Sequence, residues 1–161
     1  VTMDFRIISL PPFTAVTSGP DPQFDFSPEG VLGRFNEFFS SIKPSPRDSF
    51  MPRDFLFFNK EAGGLEWWYA IEEGMPDGGF SKISFEGGVY LTYFYWDHDE
   101  DANQKLYQQA LDYIAASDAF QLDERPGHYS MGHIITPPEF IKALGNGMME
   151  AFVPVKLKTA H

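Results

Sequence analysis

Apolar positions along the chain follow two rhythms. The stretch FRIISLPPFTAVTS (5–18) reads as two short β segments parted by Pro11-Pro12, because proline cannot donate to a ladder. DFSPEG then starts a helix. Ser27 is a good N-cap, Pro28 suits the first helical position, and Glu29 faces the positive end of the dipole. Helical spacing predicts that it runs to about Ile42, with Val31, Phe35, Phe38, Phe39 and Ile42 on one face. After a Pro-rich loop (43–54), DFLFFNK and LEWWYAIEE flank EAGG as a hairpin. FSKISFEGGVYLTYFYW reads as a strand pair or a bulged strand kinked at Gly87-Gly88. A second helix follows in DHDEDANQKLYQQALDYIAAS, capped by Asp99 or Asp101, with Leu106, Ala110, Tyr113 and Ile114 as its apolar stripe. Closing strands are expected near 121–134 and 149–157, with a short Pro-started helix between them.

Two stretches are apolar on both strand faces. In LEWWYAI, Trp67 and Tyr69 share one face while Glu66, Trp68 and Ala70 share the other. One Trp is expected to pack against the helices and the other to be wetter. In YLTYFYW, Tyr90, Thr92, Phe94 and Trp96 oppose Leu91, Tyr93 and Tyr95, which implies burial on both sides. One face then serves the core and the other a pocket or a partner.

The element order repeats. Ile8-Ser9-Leu10 and Val16-Thr17 correspond to Ile83-Ser84-Phe85 and Leu91-Thr92 at an offset of 75. The expectation is one α+β domain spanning 1–161, built as a duplicated strand–helix–strand–strand unit (pseudo-repeats about 3–73 and 80–158). It has a curved antiparallel sheet, two main helices and a central pocket between the halves.

Composition narrows the chemistry. Among 161 residues there is no Cys, which excludes a disulfide framework, a thiolate nucleophile and a Cys zinc site, and fits a reducing cytoplasm. The net charge of −11, with twelve scattered Lys and Arg, argues against nucleic-acid binding by this chain alone. The acidity suits a cationic ligand and equally suits solubility. No leader and no membrane-length apolar run is apparent, so no membrane contact is expected. Asp97, Asp99 and Asp101 have calcium-loop spacing, but Ala102 and Gln108 stand where Gly and Glu are required. His128 and His133 fall on opposite faces of the expected strand. No metal and no cofactor is expected, and no nucleophile–base motif is present.

FEGGVYLTYFY, the opening MDFRIISLPPFTAV, RPGHYSM and the closing AFVPVKL, in that order, resemble the gyrase-inhibitor-like (GyrI-like) effector-binding domains. These occur at the C-terminus of AraC- and MerR-type transcription regulators and as free-standing proteins. The resemblance implies a duplicated fold with an aromatic pocket for a small hydrophobic or aromatic molecule. It also implies that a DNA-binding domain can precede such a chain in a longer regulator. The ligand-binding candidates are Trp67, Trp68, Tyr90, Phe94, Tyr129, Met131 and His133. Family members that bind lipophilic cations carry a buried pocket Glu. Aligning Pro126 with the family's Pro puts Tyr129 at that position, with Glu124 as the nearest substitute. Two other readings stay open: a hydrolase of a reactive small molecule using Glu124, His128 or His133, and a gyrase-inhibitor-like protein-binding module. A homodimer is compatible with each.

Overall fold

A computed structural model describes residues 4–159. Its elements are β1 (Arg6–Leu10), β2 (Phe13–Thr17), α1 (Val31–Ser40), β3 (Asp54–Asn59), β4 (Gly64–Ile71), β5 (Ser81–Phe85), β6 (Gly88–Trp96), α2 (Glu100–Ala116), β7 (Phe120–Leu122), β8 (Met131–Ile134), α3 (Pro138–Leu144) and β9 (Met148–Leu157). The fold is α+β, and every strand pairing named below is antiparallel. Contacts gather the chain into a contiguous unit, residues 12–86, and a split unit, residues 4–11 with 87–159. Among the described residues no helix is long and apolar enough to cross a membrane.

In the contiguous unit the strands lie in the order β5-β2-β4-β3. The alternation within β4 decides what each face buries. Tyr69 and Ile71 join Val16 under α1, whose Phe35 is fully buried, and Phe38, Phe39, Trp67 and Phe80 close around them. Thus the stripe expected from Phe35 onward forms. The predicted helix start does not. Ser27–Gly30 stays outside the helix and Gly30 takes the N-cap position. Asp21 accepts the amides of Gln23 and Asp25, and Asp25 accepts that of Ser27, so side chains hold this segment in turns. The segment then lies against the first helical turn at Gly33, where a Cβ would stand 1.8 Å from the Ser27 carbonyl oxygen. Glycine within a helix is ordinarily improved by alanine. Here the backbone clash dominates, and Gly33→Ala is expected to cost about 1–3 kcal/mol in urea unfolding; a stabilising result would place the 25–30 segment elsewhere.

The Pro-rich loop before β3 is held by a buried cation. Arg53 donates to Asp48, Glu72, the Ser45 hydroxyl and the Ala70 carbonyl. Burial opposes ionisation of Asp48, but the Ser45 amide and the Arg53 guanidinium outweigh it, and the carboxyl sits below its ordinary value. A lowered folded-state value means that this contribution is complete above the unfolded Asp value, about pH 4, and is lost as pH falls through the lower folded value. The urea midpoint of the wild type should therefore fall more steeply below about pH 4 than that of Asp48→Asn. Parallel slopes would remove Asp48 from the acid response.

The split unit repeats the strand order as β1-β6-β9-β8, with β7 also on β9. Its helix face buries Leu91, Tyr93, Ala151, Val153 and Val155 against Ala110 and Ile114 of α2. Asp99 caps α2 by accepting the Ala102 amide at 3.1 Å. Tyr113, expected in the stripe, is 49 % exposed and meets Phe5 and Phe120 at the margin. The closing strand expected over 121–134 is interrupted. Residues 123–130 leave the ladder and form a turn in which Arg125 and His128 bond each other's backbone. His128 is therefore a turn residue, and the opposite-face argument for His128 and His133 does not hold.

The registers of the two units correspond. Thr14–Thr17 face Ile71–Trp68, and Val89–Thr92 face Val155–Phe152. β5 flanks β2 as β1 flanks β6. Pro11-Pro12 and Glu86-Gly87 are where the chain passes from one unit to the other. The FSKISFEGGVYLTYFYW stretch is thus two strands that pair elsewhere, β5 with β2 and β6 with β1 and β9.

Candidate functional site

The candidate site follows from what each unit carries on the sheet face without a helix. In a two-layer unit that face is ordinarily solvated and polar. In the split unit, strand register lines up two rows across it. One row is Arg6, Thr92, Phe152 and Met131; the next is Phe94, Glu150 and His133. Thr92 and Phe152 are fully buried, Met131 nearly so, and Glu150 is only 3 % exposed. Arg6 donates to Glu150, and its guanidinium carbon stands 5.5 Å from the centre of the Phe94 ring. Tyr90 shares this face. It is fully buried, with the His128 ring 5.3 Å away and Phe152 edge-on at 6.2 Å. Gly88 makes that approach feasible, because a Cβ there would lie 2.7 Å from His128 Nε2. The imidazole is oriented through Nδ1, 2.9 Å from the Asp123 carbonyl oxygen. The opposite, α2-facing side holds Tyr93 and Tyr95. Burial pushes the Tyr95 phenol up to about 12 and Tyr93 higher still, so both stay neutral.

In the contiguous unit the corresponding face is more aromatic. Phe13 stacks on Phe55 and tilts against Phe85, and Trp68 meets Phe57 edge-on at 4.6 Å and Phe85 at 5.8 Å. Among these rings lies Glu66, 7 % exposed. Its Oε2 accepts from the Thr17 hydroxyl at 2.6 Å and the Trp68 indole at 3.0 Å, and its Oε1 accepts from Asn59 at 3.0 Å. Three donors from three strands or strand ends make a buried acid tolerable in an apolar setting.

The residues named from the sequence are thereby sorted. Trp68 is in the contiguous unit, and Tyr90, Phe94, Met131 and His133 share the helix-free face of the split unit. Tyr129 is buried in the turn before β8. Trp67 stands on the α1 side, edge-on to Phe39 at 4.9 Å and to Phe26 at 5.9 Å. The two tryptophans occupy opposite faces as the alternation requires, yet the expected wetness is reversed: Trp68, away from the helix, is the more buried. Glu124 accepts from the Tyr107 hydroxyl of α2 and from Ser130, both at 3.3 Å.

Two acids were not singled out from the sequence. Glu66 and Glu150 occupy equivalent places, two residues before Trp68 and Phe152, which face Thr17 and Thr92. The signal was a single carboxylate on the strand face that also carries a ring, in LEWW and again in MMEAF. Among the described residues no cluster of three metal-ligating side chains occurs.

No protein-family model and no curated protein sequence matches the chain. Solved structures do. The structure of SAV2435 bound to tetraphenylphosphonium is 14 % identical, with a TM-score of 0.52 over 96 % of this chain and 94 % of that one. The EcmrR C-terminal domain is also 14 % identical, with a TM-score of 0.53 over 95 % and 97 %. A hydrolase from Listeria innocua is 10 % identical, with a TM-score of 0.52 over 94 % and 91 %. At these identities the likeness defines a shared fold.

Proposed function

We propose that this chain is a small-molecule effector-binding domain of the GyrI-like type, the sensor of a bacterial transcription regulator or a free-standing relative, and that it takes a lipophilic or aromatic ligand. The observation that carries the reading is the aromatic character of the helix-free sheet face in each unit. In one unit that face has Trp68 beside a hydrogen-bonded acid; in the other it has Tyr90, Phe94, Met131 and His133. Such a face offers flat apolar walls with a few oriented polar groups, the usual composition of a ligand site. The shared fold with a tetraphenylphosphonium-bound protein and with a C-terminal domain of EcmrR supports it.

Affinity would come from burying ligand apolar area, about 25 cal/mol per Å² before ordering costs. Stacking on a ring adds about 0.5–1.5 kcal/mol. Glu66 is already engaged by three donors, and the family resemblance aligns the Tyr129 phenol with the acid expected of a cation site. A neutral aromatic compound is therefore expected to bind better than a quaternary cation of the same shape. Calorimetry with tert-butylbenzene and phenyltrimethylammonium tests this. Trp68→Ala should weaken binding of the neutral compound by about 1–3 kcal/mol. Absence of saturable binding across a panel of neutral and cationic aromatics would overturn the reading, and so would an unchanged Trp68→Ala.

A further inference from the structure

We propose that Arg6 is an internal occupant of a cation-recognising site formed by Glu150 and Phe94, and that it excludes organic cations until it is displaced. A buried carboxylate beside an aromatic face is the pair that recognises an ammonium or guanidinium group. Here both contacts are made by a side chain of the protein itself, from the outer strand β1. The Arg6 side chain is 53 % exposed, whereas that of Glu150 is 5 % exposed. The plug therefore reaches solvent while the acid does not.

The equivalent place in the contiguous unit shows that this scaffold does not require the plug. There Ser81 faces Thr17 as Arg6 faces Thr92. Glu66 is satisfied instead by neutral donors, the Thr17 hydroxyl among them. In the split unit the matching hydroxyl, Thr92 Oγ1, is fully buried and makes no hydrogen bond among the described residues. With the Arg6 guanidinium on Glu150, the threonine that would serve the acid is left without a partner. Withdrawal of Arg6 opens the carboxylate to a ligand cation and offers it the Thr92 hydroxyl. While Arg6 is docked, the competent fraction is small, and apparent cation affinity falls in proportion.

Two measurements test this, and only the second rests on the ligand reading above. In the first, thermal unfolding of Arg6→Ala is followed in millimolar guanidinium chloride against sodium chloride at matched ionic strength. Free guanidinium should raise the melting temperature of Arg6→Ala, and should not raise that of wild type or of Arg6→Ala/Glu150→Gln. Equal responses in all three would overturn the proposal. In the second, calorimetry compares phenyltrimethylammonium with tert-butylbenzene. Arg6→Ala should gain about tenfold for the cation and change less than about twofold for the neutral compound. Arg6→Gln, which keeps much of the stem, carries both tests if Arg6→Ala does not fold. Binding of the neutral compound with no gain for the cation overturns the proposal and leaves the ligand reading standing. Guanidinium rescue with neither compound bound supports the cation site and counts against the ligand reading.

Discussion

Replacing Trp67 with alanine is expected to lower stability by about 3–5 kcal/mol in urea unfolding, the range for removing a packed aromatic from a core. The ring is the hub of the α1 side. Phe26, Phe35 and Phe39 all lie within 6.2 Å of it, and its indole N–H donates to Asp54 at 3.3 Å. Truncation leaves a cavity bounded by three rings that belong to α1 and the turn before it, and a rigid helix cannot collapse fully into such a space. Trp67→Phe should recover more than half of the loss, because most of the volume returns and only the N–H donor is missing. A Trp67→Ala cost under about 1 kcal/mol would mean that α1 does not depend on this ring.

Glu66→Ala is expected to be comparably severe, about 3–5 kcal/mol, for a different reason. The substitution removes little apolar contact. It strands the buried Trp68 indole N–H and Thr17 hydroxyl without an acceptor, and takes the acceptor from the half-buried Asn59 amide. Each orphaned donor costs about 1–3 kcal/mol. Glu66→Gln retains one acceptor oxygen and should cost markedly less, about 1–2 kcal/mol. An alanine cost under about 1 kcal/mol would mean that the three hydrogen bonds contribute little to the fold. Near-ultraviolet circular dichroism of the glutamine variant should keep the Trp68 signature.

The alternation of LEWWYAI was enough to put the two tryptophans on opposite faces, because period two is a property of the backbone. Which face would be drier was not legible. Burial of Trp68 depends on Phe57 and Phe85, brought beside it by strand pairing. The acids were hidden for the same reason: Thr17 and Glu66 are 49 residues apart, and nothing local announces that they meet. The α1 start was misplaced because Ser27-Pro28-Glu29 satisfies every local rule for a helix beginning, while Asp21 and Asp25 recruit the same backbone amides into turns. Side chains that compete for backbone hydrogens from several residues upstream defeat a positional rule. The break at residues 123–130 was not legible because strand-like residues stand on both sides of it, FQL before and MGHI after.

The placement of β1 has a consequence for the order in which the molecule is made. Each strand of residues 12–86 has a partner within that segment, so these ladders can close while the rest is still being synthesised. β1 emerges earlier than any of them, yet its ladder is with β6. The Arg6–Glu150 contact spans 144 residues. Loop-closure entropy makes so distant a pairing a late event. The growing chain thus carries β1 unpaired until β6 has been made, and Pro11-Pro12 caps the end of that strand with residues that cannot extend a ladder. Of these strands, the earliest to be translated is among the last to be fixed.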